Sequence, residues 1–124
     1  MNVVDSSGWL EHIVDGENAA FFAAPLTDVD NLLVPTVCLL EVFKHVLRRR
    51  DDETALRVAA AMRRARVVDL DAELAMAAAR LGLDCSLSLA DSIIYATARA
   101  HDATLWTQDA HFKGLEGVRF TARK

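Results

Sequence analysis

The chain has no apolar run of the roughly 18 residues that a membrane span requires. Its start, Met1-Asn2-Val3-Val4-Asp5, lacks the basic-then-apolar pattern of a signal peptide. Those absences argue against a membrane protein and make a cytoplasmic location the expectation. Cysteine is scarce: only Cys38 and Cys85 occur. In a reducing compartment each reads as a small buried hydrophobe rather than half of a disulfide. There is no Cys-x-x-Cys, no Gly-x-Ser-x-Gly and no Gly-rich phosphate loop. His12, His45, His101 and His111 show no His-x-x-x-His spacing, which removes the usual zinc hydrolase pattern. His45 reads as a helix-surface residue. Aromatic residues make up only 6% of the chain. Trp9, Tyr95 and Trp106 are too dispersed for a base-stacking platform, and Trp106 reads as core. The net charge of −4 does not suit a molecule that is basic all over and binds nucleic acid non-specifically. No internal repeat, low-complexity tract or linker is visible.

What is present suffices for a core. The chain has 124 residues, of which 52% are hydrophobic, so one domain over 1–124 is expected without staples. Short strands are expected at Asn2-Val3-Val4, Leu32-Leu33-Val34, Val67-Val68, Thr104–Thr107 and Val118–Phe120, the last at an edge. Helices are expected between them. The first runs through Trp9, Leu10 and Ile13, after the cap-and-turn residues Asp5-Ser6-Ser7-Gly8. A second covers 17–24 and is ended by Pro25. A third runs from a Thr36 cap to about Arg50, with Leu40, Phe43 and Leu47 on one stripe. Three more cover 53–64, 71–81 with Gly82 as a stop signal, and 89–101. Strands alternating with helices indicate an α/β sandwich around a mainly parallel sheet of four to five strands. Arg48-Arg49-Arg50 and Arg63-Arg64-Arg66 read as solvated helix faces, and Asp51-Asp52-Glu53 as the cap of the next helix.

Against this background four acids are out of place. Asp5 ends Val3-Val4, and Glu41 interrupts Cys38-Leu39-Leu40 and Val42-Phe43. Asp91 lies between Leu89-Ala90 and Ile93-Ile94, and Asp109 follows Leu105-Trp106-Thr107-Gln108. A carboxylate near a core is costly unless its charge is offset. In open α/β sheets the crevice lies beyond the carboxyl ends of the strands. Asp5 and Asp109 each follow a strand, and Asp91 opens the helix before the Asp109 strand. Glu41 lies about one and a half turns into its helix. All four can point into one crevice, where a hard divalent cation, Mg²⁺ or Mn²⁺, would offset them. Singly, Asp5 and Asp109 could be helix caps, Ser88-Leu89-Ala90-Asp91 half of a capping box, and Glu41 a polar helix edge. The joint pattern is what those readings explain poorly. Without metal the four repel, and some of their pKa values should rise.

The chain resembles the PIN-domain family, and within it the VapC toxins of bacterial toxin–antitoxin pairs. The matching stretches are Val3-Val4-Asp5-Ser6-Ser7, Leu39-Leu40-Glu41-Val42, Leu87–Asp91 running into Ile93–Ala98, and Leu105–Asp109 with Phe112. The set spans almost the whole chain, and Asp91 and Asp109 stand 18 residues apart across a helix–strand unit. The resemblance implies a PIN-like three-layer sandwich and a Mg²⁺- or Mn²⁺-dependent endoribonuclease. It implies Asp5, Glu41, Asp91 and Asp109 as catalytic, metal-binding residues, with Ser7 and Thr107 in support. It implies cleavage of a structured cellular RNA, a tRNA or a ribosomal RNA, by a metal-activated water. It implies inhibition by a VapB-type antitoxin laid across the early helices, a homodimer, and a heterotetramer or larger assembly with the antitoxin. Lys44 and Arg48 could guide the RNA backbone.

Three rivals remain at this point. A receiver-like phosphoacceptor also gathers acids around Mg²⁺, but would need two adjacent acids after its first strand and a lysine after its last core strand. Here Asp5 stands alone, and no lysine occurs between Lys44 and Lys113. A protein-binding module on the same fold would need no catalysis. A PIN nuclease in RNA or DNA processing would keep the chemistry without the toxin role.

Overall fold

The computed structural model describes residues 1–124. Five strands, β1 (Asn2–Val4), β2 (Leu32–Pro35), β3 (Arg66–Val68), β4 (Thr104–Thr107) and β5 (Val118–Phe120), form one sheet in the order β3-β2-β1-β4-β5. Every pairing is parallel. Six helices flank it: α1 (Ser6–Ile13), α2 (Ala19–Thr27), α3 (Thr36–Arg49), α4 (Asp52–Met62), α5 (Ala72–Cys85) and α6 (Leu89–Ala100). Parallel strands covered on both faces need unbroken apolar runs. Leu32, Leu33 and Val34 supply one, and Val3 and Val4 are wholly buried at the centre. No helix is long and apolar enough to cross a membrane.

From β1 the chain steps outward to β2 and β3, then returns to lay β4 and β5 on the other side of β1. The carboxyl ends of β1 and β4 therefore flank the point where the winding reverses. That is where such sheets open a crevice for ligands.

Several local expectations are corrected. The buried stripe of α3 is Cys38, Val42 and Val46, whereas Leu40 is 61% exposed and Leu47 also faces outward. Both triplets keep helical spacing, and only the position of the sheet decides between them. Thr36 is the first residue of α3 rather than its cap; Pro35 stands at the cap position with no side-chain bond. Pro25 does not end α2 but lies inside its last turns, buried, and the helix continues to Thr27. Two residues before the helix end, the missing N–H forfeits a single bond. Gly82 does not stop α5, which runs on to Cys85 and is closed by Ser86 in the left-handed region at φ 56°. Gly82 instead lets α5 approach α6: a Cβ there would lie 2.4 Å from Ser92 Oγ. Trp106, expected in the core, is half-buried, with Phe21 on one side and the Arg119 guanidinium 4.9 Å from its ring centre. Cys38 is buried, but Cys85 only partly.

Gly8, expected in a turn, belongs to α1 and fixes that helix against the sheet. A Cβ there would lie 2.6 Å from both Val4 Cγ1 and Phe22 Cε1. Gly8→Ala should therefore lose about 1–3 kcal/mol to overpacking, although alanine is the better helix former. Denaturant unfolding measures this, and an unchanged midpoint would show that the contact yields.

Candidate active site

Asp5 leaves β1 and caps α1. Its Oδ1 accepts the Gly8 N–H and the Ser7 hydroxyl, both at 2.9 Å, and its Oδ2 accepts the Thr107 hydroxyl at 2.6 Å. Thr107 ends β4, so one hydroxyl ties the ends of two adjacent strands. The same Thr107 Oγ1 accepts the Asp109 N–H at 2.9 Å, which sets the turn after β4. Ser7 and Thr107 thus hold Asp5 from both sides. Glu41 projects from α3, and the Ser6 hydroxyl donates to its Oε1 at 2.6 Å. Sequence reasoning gave Ser6 no part; its place beside the cap of α1 was the available signal. Asp91 sits in the first turn of α6, its N–H 3.4 Å from the Ser88 hydroxyl that caps the helix. Asp109 caps the short 3-10 turn Ala110–Phe112. The single-residue readings as caps are therefore correct as local chemistry for Asp5 and Asp109, and do not compete with a shared site.

All four acids line one cavity of about 300 Å³, together with Ser6, Ser7 and His45. One ligand atom each from Asp91, Asp109 and His111 lies within 4.8 Å of the other two. Asp5 and Glu41 line the cavity outside this group. His45 is exposed, as expected, but borders the site one turn beyond Glu41. Lys44 and Arg48 are exposed on the same helix, at helical spacings that keep them near the Glu41 face.

Electrostatics set this cavity apart. Burial pushes the Asp5 carboxyl up to about 6, against its bonds to Thr107, Gly8 and Ser7, and the charge of Asp109 adds to the rise. Burial likewise raises Asp91, with Asp109 and Glu41 adding to it. No lysine or arginine pairs with any of the four; the only basic group within ion-pair distance is His111. Four carboxylates with hydroxyl support and no arginine or lysine make a hard, oxygen-rich donor set. The residues present fit a divalent cation. A larger cavity, about 590 Å³, lies between β3 and α5. Two of its polar groups are engaged: Asp71 caps α5 through the Leu74 N–H, and His101 Nδ1 meets the Thr97 carbonyl. We assign no chemistry to it.

A raised carboxyl has a defined stability consequence. The folded state holds the Asp5 proton more tightly than the unfolded state. Its contribution is full below pH 3.8 and is lost as pH rises through about 6. Above that, ionised Asp5 costs the metal-free fold about 3 kcal/mol. Asp5→Asn should therefore melt higher than the parent in EDTA at pH 7.5, with the advantage vanishing near pH 4. Melting curves across that range test it; a pH-independent difference would reject burial of the charge as the cause.

The PIN domain model matches residues 3–118. The chain belongs to the PIN-domain family. Solved structures with this fold include a toxin–antitoxin complex from Klebsiella pneumoniae, 21% identical, with a TM-score of 0.81 over 96% of each chain. Another is VapC20 of Mycobacterium tuberculosis, a sarcin–ricin loop cleaving toxin, 20% identical, with a TM-score of 0.76 over 95% of this chain and 97% of that one. A third is VapBC2 from Rickettsia felis bound to a DNA fragment from its promoter, 16% identical, with a TM-score of 0.75 over 98% and 97%. No curated protein matches the chain at the level of sequence. The PIN fold accounts for the sheet order and for the crevice between β1 and β4.

Proposed function

We propose that this PIN-domain chain is a Mg²⁺- or Mn²⁺-dependent endoribonuclease of the VapC type, the toxin of a toxin–antitoxin pair. The observation that carries the reading is the set of four carboxylates in one cavity with no arginine or lysine among them. A divalent cation bound there would supply Lewis-acid stabilisation of the phosphorane and a water nucleophile at neutral pH. Asp91 and Asp109 would hold it from one side, and Asp5 and Glu41 would bind or orient its water ligands from the other. Thr107 and Ser7 keep Asp5 fixed while charge changes beside it. Lys44 and Arg48 stand outside the acidic cavity, where they can hold an RNA backbone without neutralising the acids.

A structured cellular RNA, a tRNA or a ribosomal RNA, is the proposed substrate. The M. tuberculosis structure of the same fold is a toxin that cleaves the sarcin–ricin loop. The proposed partner is a VapB-type antitoxin, with a homodimer of this chain at the centre of a heterotetramer or larger assembly in the cytoplasm. An apolar groove of about 210 Å³ between α1, α2 and α4, lined by Trp9, Ile13, Leu26 and Val58, suits an apolar antitoxin segment. The remaining rival is a PIN nuclease of RNA or DNA processing, which shares the cavity but need not arrest growth. The receiver-like reading loses ground because no lysine approaches the acids.

The deciding experiment is cleavage of labelled tRNA and of a sarcin–ricin loop RNA by the purified chain. Activity should appear with Mg²⁺ or Mn²⁺ and vanish in EDTA. Full activity in EDTA would reject the metal reading.

A further inference from the structure

His111 has no role in the sequence reading, yet its exposed imidazole reaches two of the acids of the site. Its Nδ1 lies 3.2 Å from Asp109 Oδ1 and 3.8 Å from Asp91 Oδ2. The main chain brings it there. Asp109 Oδ1 accepts the His111 N–H at 3.0 Å, and Thr107 fixes the Asp109 N–H. Phe112, the next residue, is wholly buried and anchors the turn. Asp109 and His111 therefore leave one short turn with their donor atoms together. A neutral imidazole lone pair that close to two carboxylate oxygens is repelled unless a cation or a proton lies between them. Adjacent donors around an octahedral ion with bonds of about 2.1 Å sit about 3 Å apart; the Asp109 separation of 3.2 Å is close to that, and the Asp91 separation of 3.8 Å would have to close slightly.

We propose that His111 is itself a ligand of the divalent ion, through Nδ1. It makes the Asp91–Asp109 side of the cavity a mixed nitrogen–oxygen site that favours Mn²⁺ and Co²⁺ over Mg²⁺. This rests on the metal reading above and goes beyond it, because an all-carboxylate site gives no reason for such a preference. Carboxylate and water suit Mg²⁺ and Mn²⁺ alike, whereas an imidazole donor draws affinity toward the later divalent metals. His45 is the natural control. It borders the same cavity from α3 but is not one of the three residues whose donor atoms cluster.

The test is Mn²⁺ bound to the purified chain, read by pulsed EPR. A nitrogen hyperfine coupling of directly bound imidazole should be present, lost in His111→Gln and kept in His45→Gln. Thermal-shift titrations run alongside. His111→Gln should raise the apparent Kd for Mn²⁺ and Co²⁺ about tenfold or more, and that for Mg²⁺ by less than about threefold. Mn²⁺ that binds without nitrogen coupling, or with a coupling that survives in His111→Gln, overturns the proposal and leaves the metal reading standing. Equal weakening of all three metals would assign His111 to supporting the Asp109 turn, and so also overturns ligation. Failure of any divalent ion to bind the parent chain would remove both readings together.

Discussion

Asp91→Asn should slow RNA cleavage by about 10²–10³-fold, the usual loss when one fixed electrostatic contact to a reacting centre is removed. The protein should remain folded. Asp91 is lightly held: beside its carboxylate stand the Ser88 hydroxyl and His111 Nδ1, the latter at 3.8 Å. Asparagine fits the same space. It forgoes about 0.3–1 kcal/mol of favourable interaction with the start of α6, and it relieves the repulsion from Asp109 and Glu41. Activity and stability should therefore part company. Single-turnover cleavage beside a melting curve measures both. A folded variant that keeps more than about a tenth of the activity would take Asp91 out of the reaction. The same assay reads the product ends. An external water attacking in line leaves a 5′-phosphate and a 3′-hydroxyl. Attack by the ribose 2′-hydroxyl would leave a cyclic phosphate, and that product would overturn the mechanism whatever the fate of the fold.

Expression of the chain alone should halt bacterial growth, and Glu41→Gln should restore it to the rate of an empty-vector culture. The Ser6 hydroxyl that donates to Glu41 Oε1 at 2.6 Å finds the same acceptor in glutamine, so the local structure survives. What changes is one charge in a cavity that holds four carboxylates. If growth stays arrested while Glu41→Gln is shown to be folded and present, catalysis is not the cause. If the parent chain never arrests growth but cleaves RNA in vitro, the processing-nuclease reading gains.

The strands and the crevice were legible because they are written in short-range pattern. Val3-Val4 and Leu32-Leu33-Val34 can only be covered strands, and each misplaced acid falls just after a strand or just inside a helix. The family resemblance drew on the same residues. What was not legible depends on where a neighbour lies. Leu40-Phe43-Leu47 and Cys38-Val42-Val46 are equally good stripes by periodicity; the second faces the core because β1 and β2 lie beneath it. Gly82 carries the composition of a stop and serves as the close approach of α5 to Ser92 on α6. His111 followed no metal spacing rule, since its companions are 2 and 20 residues away. It meets both only after the turn at Asp109 has closed on α6. The Asn18–Gln108 bond at 2.9 Å, buried behind the site, was invisible for the same reason.

The 2.6 Å bond between Asp5 and Thr107 joins residues 102 positions apart. A polypeptide is made and released N-terminus first. Asp5, Glu41 and Asp91 therefore leave the ribosome well before Thr107 and Asp109 do. Until β4 slots in beside β1, Asp5 has lost one of its clamps and Asp109 is absent. On the function proposed here a half-made chain would carry an incomplete site, and contacts that span so much sequence belong to the slower-folding kind. On the reading proposed here, the translating ribosome is never exposed to a working copy of the enzyme it is building.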